Sequence, residues 1–331
     1  MHQVLLGFVQ IIAGLLILAV SIPAILALFG FAVPVFDLFN HLQLLLFFGT
    51  LAGVILGLIV FGIRPAMTWI AVLGFAASSF TFVPEWTSSL AARAPFLHDG
   101  PPVLKLMTHN LFGLNYDMPR VAAVIAAENP DIIALQEYFP EQVEGLDQLL
   151  KPNYPFSVRC TGGKRANLGL YSKIPFDKEM ASGECPTSAV SGRRTARIIA
   201  GFVLEDGTRF SVMTTHMDWP LPIARQQEEF AEAKAEVKAI GGPLLLVGDF
   251  NSTPWSYALK AFAADTGLTR ETRNLLTYPE RFTLRGLVRT VSFLPLDQVF
   301  ERGIDVHELH RGEETGSDHL PVIFSFSVPK S

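Results

Sequence analysis

Apolar residues fill the first 85 positions almost without a break, and short alternating segments follow. Residues 4–29, 42–63 and 66–84 are three apolar runs. Each is near the ~20 residues that a helix needs to cross ~30 Å of hydrocarbon. Gln10 and Ser21 interrupt the first run, and Pro23 is placed to kink it. Gly62-Ile63-Arg64-Pro65 forms the turn between the second and third. Trp69 and Trp86 stand near the ends of the third, as interfacial aromatics do. The pattern predicts three transmembrane helices, with two as the alternative if the first lies in the interface. A cleaved signal peptide accounts only for the first run, which also lacks a basic start and a small-residue cleavage site.

Residues 87–101 read as a linker, and beyond them the period shortens. Strands are predicted at 103–110, 131–137, 167–175, 197–204, 209–216, from Leu244 to Val247, within 290–300, and at 322–327. Two amphipathic helices interrupt them. One starts near Met118-Pro119 behind a capping Asp117, turns Val121, Val124 and Ile125 inward, and stops at Asn129-Pro130. The other covers 222–240 with Phe230, Ala233, Val237 and Ile240 inward, and ends at Gly241-Gly242. Residues 256–290 read as irregular and basic in places. They are either a solvated loop or a substrate-facing insertion.

Charge sharpens this division. Asp37, Arg64 and Glu85 are the formal charges of the first 85 residues; they contribute −1 of the net −5 and leave −4 for the remainder. No basic field marks the soluble part as a nucleic-acid binder, although a metal ion can neutralise an acidic site that handles phosphate. Arg64 is the only Lys or Arg before Arg93. By the positive-inside rule its turn is cytoplasmic, which puts everything after residue 86 outside the inner membrane. An oxidising compartment there lets Cys160 and Cys185 pair. Neither lies in a zinc-type cluster.

Polar groups collect where core strands end. The strand Leu244 to Val247 runs into Gly248-Asp249-Phe250-Asn251, and Ser252-Thr253-Pro254 breaks it. On extended backbone Asp249 and Asn251 project to one side. An ordinary Asp/Asn turn is the competing reading. Asn110, Glu137 and His216 end three other strands, and a solvated strand end is the simple account of Glu137 alone. Asp297 lies in an apolar frame, where a charge needs a partner. Ser317-Asp318-His319 precedes the last strand.

Asn110, Leu-Gln-Glu137, Thr-Thr-His216, Gly-Asp249-Phe-Asn251, Leu-Asp297-Gln-Val-Phe and Ser-Asp318-His319-Leu-Pro-Val occur in that order. This succession resembles the endonuclease/exonuclease/phosphatase (DNase I-like) superfamily, in a membrane-anchored bacterial form. The likeness covers residues 102–331 and none of the anchor. It implies a four-layer α/β sandwich, with two packed, mainly antiparallel sheets flanked by helices, preceded here by a transmembrane helical anchor. The domains expected are an anchor at 1–86, a linker at 87–101 and a catalytic domain at 102–331.

The chemistry implied is metal-assisted hydrolysis of a phosphate ester, with Mg²⁺ or Mn²⁺ suited to oxygen ligands without thiolates. By the resemblance Glu137 is the principal metal ligand, with Asn110 and Asp318 near it. Asp249 orients or deprotonates the attacking water, and Asn251 holds the phosphate or that water. His319 hydrogen-bonds a phosphoryl oxygen, and Asp297 fixes its tautomer and raises its pKa. His216 is a second phosphate contact. Whether Asp249 or His319 is the base stays open. Arg193, Arg194 and Arg197 are further candidates for phosphate contact.

The function expected is a membrane-anchored, divalent-metal-dependent phosphoesterase that cleaves phosphodiesters. A nucleic acid and a lipid headgroup compete as substrate. The alternative is a non-catalytic membrane-anchored binding module that retains the fold. The membrane is the partner of the N-terminal helices, no protein partner is predicted, and the location is a multi-pass bacterial inner-membrane protein with an extracytoplasmic, periplasmic catalytic domain.

Overall fold

The computed structural model describes residues 2–63, 65–90, 101–177, 195–280, 282–284, 287–289 and 291–330. They form two compact units. One holds the described residues through 90 together with Thr253–Ala261; the other holds the rest.

The first unit contains α1 (His2–Ala27), a single turn α2 (Pro34–Asp37) running into a 3₁₀ turn (Leu38–Leu42), α3 (Gln43–Val60) and α4 (Ala66–Ser88). Its spans Gln3–Ala27, Pro34–Val60 and Ala66–Ser88 are long and apolar enough to cross a membrane. The last helix outruns the expected end at 84, because Glu85 and Trp86 continue its register to Ser88. Arg64, on which the orientation rests, lies outside the described residues.

Packing in this unit inverts the rule for water-soluble bundles. Ala13, Ser21, Ala24, Thr50, Ala71, Ala77 and Ser78 are buried, while Leu5, Phe8, Leu15, Phe48, Ile59 and Phe80 point outward. A bundle folded in water buries its large apolar face. In an apolar solvent that drive vanishes, and helices associate through small residues that let backbones approach. A Cβ added at Gly74 would lie 2.6 Å from Ser21 Cβ and 2.8 Å from Ser21 Cα. Gly74→Val should therefore force α1 and α4 apart at a cost of about 1–3 kcal/mol. A melting temperature of the detergent-solubilised protein lowered by several degrees would show it; an unchanged one would refute the close approach.

The second unit is built on two six-stranded sheets. The first has the order β13-β14-β1-β2-β4-β3. Its strands are β1 (Val103–Asn110), β2 (Ile132–Gln136), β3 (Phe156–Cys160), β4 (Leu168–Ser172), β13 (Asp305–Arg311) and β14 (Val322–Ser327). The second has the order β5-β6-β7-β8-β12-β9. Its strands are β5 (Phe176–Asp177), β6 (Arg197–Val203), β7 (Arg209–His216), β8 (Leu244–Asp249), β9 (Thr269–Arg270) and β12 (Asp297–Arg302). A separate hairpin joins β10 (Phe282–Leu284) to β11 (Leu287–Arg289). Each sheet is mixed, with one parallel pair: β1 with β2 and β7 with β8.

Alternation along the strands sorts side chains between layers. Leu106, Ile132, Leu170 and Phe324 share one core with Ile198, Phe202, Val212, Leu245 and Val247, between the sheets. Met107, Ile133 and Leu135 face the other way, onto α5 (Met118–Glu128) and α6 (Pro140–Leu150) through Val121, Ile125, Leu146 and Leu150. The backbone N–H of Arg120 donates to Asp117 Oδ1 at 3.2 Å, so the expected cap forms. Asn129 closes α5 in the left-handed conformation. Over the second sheet α7 (Ile223–Ala239) buries Phe230, Ala233 and Val237. Phe230 meets Phe262 at 5.5 Å, and Phe262 meets Phe300 at 5.8 Å. Two sheets flanked by helices are the architecture that the motif succession implied.

Three readings change. Residues 256–290 are not irregular throughout, since α8 (Tyr257–Thr266) and β9 to β11 lie there. The helix α6 was not foreseen, although it buries Leu146 and Leu150 on one face. Arg197 is buried and paired with Glu232 and Glu236 one turn apart on α7, so it is not available to a phosphate. Arg193, Arg194 and Cys185 lie outside the described residues; Cys160 is disulfide-bonded.

Candidate active site

The candidate side chains gather along one rim of both sheets. His216 is the register partner of Asp249, and Asp249 is the register partner of Asp297. Directly opposed residues share a face, so β7, β8 and β12 present these three groups in one row. Gly248 is what lets the row close. Its φ is +139°, and a Cβ there would lie 2.0 Å from Thr215 O. Any side chain at Gly248 would push β7 and β8 apart beside His216 and Asp249.

After Asp249 the strand stops. Asn251 takes φ +45°, and its backbone N–H donates to Asp249 Oδ1 at 2.8 Å. The Asp/Asn turn therefore forms, and Asp249 Oδ2 still lies beside His216 Nε2 at 3.5 Å. Asn251 Nδ2 donates to Met217 O at 2.8 Å and lies 3.3 Å from His216 Nε2.

Asp249 Oδ2 is the hub. It accepts from Asn110 Nδ2 at 3.0 Å and lies 3.5 Å from His216 Nε2 and 3.7 Å from His319 Nε2. Burial pushes its carboxyl up to about 7, against the pull of the His319 charge. The two histidines diverge. Burial, reinforced by Arg165 and His319, drives His216 down to about 3, so it is a neutral imidazole. Burial opposes a charge on His319 as well, but the carboxylates of Asp297 and Asp249 override it and raise it to about 10. The Asp297 carboxylate lies 2.8 Å from His319 Nδ1, the partner that a buried charge at 297 requires.

Glu137 stands at the end of β2 with φ +52°, a strained conformation for a side chain of its size. Gly113 N donates to its Oε2 at 2.8 Å, and Asn110 Nδ2 reaches its Oε1 at 3.5 Å. Its Oε1 is 3.9 Å from His216 Nε2, and a quarter of its side chain remains exposed. Asp318 joins through its field: burial first, then the nearby Glu137 charge, raise its carboxyl above the usual range.

This donor set fits a hard divalent cation. It is made of carboxylate and carboxamide oxygens, and among the described residues Asn251 Oδ1 and Asp297 Oδ1 are buried acceptors without a partner. Asp249, Asp297 and His319 also offer ligand atoms within 4.8 Å of one another. A protonated His319, already bonded to Asp297, has no lone pair for a metal. Glu137 is partly exposed and lies 3.5 Å from Asn110 Nδ2.

Some neighbours carried no sequence signal of a role. Ser317 Oγ donates to Asn110 O at 2.7 Å and accepts from His319 N at 3.0 Å, tying the end of β1 to the segment that leads into β14. Its place in the Ser-Asp-His run was the available clue. The Tyr278 ring lies 4.7 Å from the His319 ring and 5.7 Å from that of Trp219. Arg165, held 2.5 Å from Asp218, supplies the cation that His216 feels. Neither Tyr278 nor Arg165 sits in a motif.

Solved structures share this architecture. An endonuclease/exonuclease/phosphatase family protein of Bacteroides thetaiotaomicron superimposes with a TM-score of 0.55 at 21% identity, covering 70% of this chain and 99% of that one. The mannosyl-6-phosphatase Bt3783 of the same organism has a TM-score of 0.54 at 20% identity, over 67% of this chain and 99% of that one. A UPF0294 protein of Vibrio vulnificus (strain CMCP6) is 29% identical over 129 residues, 39% of this chain and 43% of the relative. The matched stretch thus spans less than half of that protein's length. A profile of the Endonuclease/Exonuclease/phosphatase family matches residues 107–319, from β1 to the rim histidine. Fold, rim and profile agree over that span, and the chain belongs to the Endonuclease/Exonuclease/phosphatase family.

Proposed function

We propose that the chain is a membrane-anchored, divalent-metal-dependent phosphoesterase that hydrolyses phosphodiester bonds. One observation carries the reading. A buried carboxylate, Asp249, lies between two histidines whose surroundings give them opposite charge states. Acid and base partners set apart by environment alone are what hydrolysis at neutral pH requires.

Glu137, Asn110 and Asp318 would hold Mg²⁺ or Mn²⁺. The ion supplies neutralising charge at the phosphate. The ionised Asp249 takes the proton of the attacking water, and Asn251 aligns that water or the phosphate. The His319 imidazolium donates from Nε2 to a phosphoryl oxygen, held by Asp297 from behind. The neutral His216 offers a hydrogen bond on the opposite side of Asp249.

The substrate is a nucleic acid or a lipid headgroup. Exposed Leu114 and Tyr116 follow Asn110, and exposed Trp219 and Leu221 follow His216, which favours a substrate with an apolar portion. We place the chain in a bacterial inner membrane, crossing it three times, with the catalytic unit on the periplasmic side. The inverted packing of the helical unit supports the membrane part of this reading.

The test uses the full chain in detergent micelles, stripped with EDTA and resupplied with Mg²⁺ or Mn²⁺. The panel is bis-p-nitrophenyl phosphate, plasmid DNA, mixed phospholipids and a sugar phosphate, the last because one structural neighbour is a mannosyl-6-phosphatase. Metal-dependent release that EDTA abolishes is expected. A folded, metal-binding protein that releases nothing from the panel would favour the non-catalytic binding module.

A further inference from the structure

Asp37 is one of three formal charges in the first 85 residues, and it is buried. A carboxylate in an apolar run is costly unless it is fully used. This one is. Oδ2 accepts from Ser256 Oγ at 2.8 Å and Ala258 N at 3.1 Å; Oδ1 accepts from Tyr257 N at 2.8 Å and Asn40 Nδ2 at 2.9 Å. The two backbone donors belong to the first turn of α8, where a helix has no carbonyls of its own to offer.

A polar relay links this cap to the helices. Ser78 of α4 donates to Gln43 of α3 at 3.0 Å; Gln43 donates to Asn40 at 2.9 Å; Asn40 donates to Asp37 and, at 3.1 Å, to Ala27 O of α1. Thr253 N lies 3.3 Å from His41 Nδ1, and Tyr257 Oη donates to Leu28 O at 3.2 Å. Trp255 is buried with its ring 5.8 Å from Phe82, which stacks on Phe47 at 4.6 Å. Thr253–Ala261 is thus a built part of the helical unit.

That segment is also the direct continuation of the catalytic loop. Ser252 alone separates Asn251 from Thr253. Two residues of chain span at most about 7 Å. The Ser252 carbonyl is itself held, accepting from Gln298 Nε2 at 3.2 Å.

We propose that Asp37 is a positioning residue for the 249–251 loop: through Ser256, Tyr257 and Ala258 it makes the arrangement of the three N-terminal helices a condition of catalysis. The helices then act as a control element rather than a passive tether. Misplacing reacting groups by about 1 Å can cost up to about a hundredfold in rate.

The experiment uses the full chain in lipid nanodiscs and four variants: Asp37→Ala, Asp37→Asn, Ser256→Ala and, as control, Thr50→Ala. Among the described residues, Thr50 bonds only to carbonyls of its own helix, at 2.6 and 3.1 Å. Asp37→Ala is expected to lower kcat on bis-p-nitrophenyl phosphate about ten- to a hundredfold with KM within about twofold. Amide exchange should quicken at 249–252 as well as at 253–258. Asp37→Asn keeps one acceptor oxygen and should fall between, since Asn caps helices nearly as well as Asp. Ser256→Ala loses one donor and should show a smaller fall; with Asp37→Asn it carries the test if Asp37→Ala does not fold. Thr50→Ala should match the parent. An unchanged kcat in a folded Asp37→Ala, or exchange that quickens at 253–258 but not at 249–252, would reduce Asp37 to a structural cap. The turnover arm rests on the phosphoesterase reading. If the parent is inert toward every phosphoester, that reading fails, and exchange at 249–252 alone decides the coupling.

Discussion

Asp249→Asn should lower metal-dependent turnover by about two or more orders of magnitude and leave the fold intact. Asn is isosteric, and its Oδ1 can still accept from Asn251 N, the bond that closes the turn. What it loses is the proton-accepting carboxylate at the hub of Asn110, His216 and His319. Stability should not fall with activity, because burial disfavours the Asp249 charge and lifts its carboxyl to about 7. A neutral amide removes that burden. The measurement pairs kcat with the melting temperature of the same micellar preparation. Retained turnover would refute the assignment of Asp249 as base, and a large loss of melting temperature would make any activity loss uninformative about chemistry.

The second large effect is on pH. In the proposed mechanism the working form of the site has Asp249 ionised and His319 protonated. Lowering pH through about 7 puts a proton on Asp249 and silences the base; raising it through about 10 takes the proton from His319 and removes the donor. Turnover should therefore rise through the first value and fall through the second. Asp297→Asn removes the nearer of the two carboxylates that hold the His319 charge against burial. It keeps an oxygen for Nδ1–H, so the tautomer survives. The falling limb should then move down from about 10 toward neutrality, costing roughly tenfold or more at pH 9 and less at pH 7. A profile of kcat/KM from pH 5 to 10.5 reads this. A variant whose alkaline limb stays in place would show that Asp297 does not set the charge of His319.

Local signals survive in sequence where a residue's role depends on its own strand. Asp249, His216 and Asn110 end apolar runs, and the run fixes both where each lies and which way it leaves the core. Asp297 was legible for a related reason: a charge among Leu296, Val299 and Phe300 must be answered, and His319 answers it. The failures share a different physics. Arg197 was read as a phosphate contact because nothing local reveals Glu232 and Glu236, which reach it from α7. The joining of Thr253–Ala261 to the helices was invisible because partners such as Asp37 and His41 lie more than 200 residues earlier. Tyr278 reaches His319 by tertiary folding alone.

The row of His216, Asp249 and Asp297 has a consequence for how such a site can change over evolution. Its members hang from adjacent rungs of one hydrogen-bonded ladder, so about 4.8 Å per strand, rather than side-chain packing, sets their spacing. The main chain serves as a ruler. The loops carrying Leu114, Tyr116, Trp219 and Leu221 lie off that ruler. Substitutions in those loops can therefore reshape the surroundings of the row while its rung spacing stays as the ladder sets it.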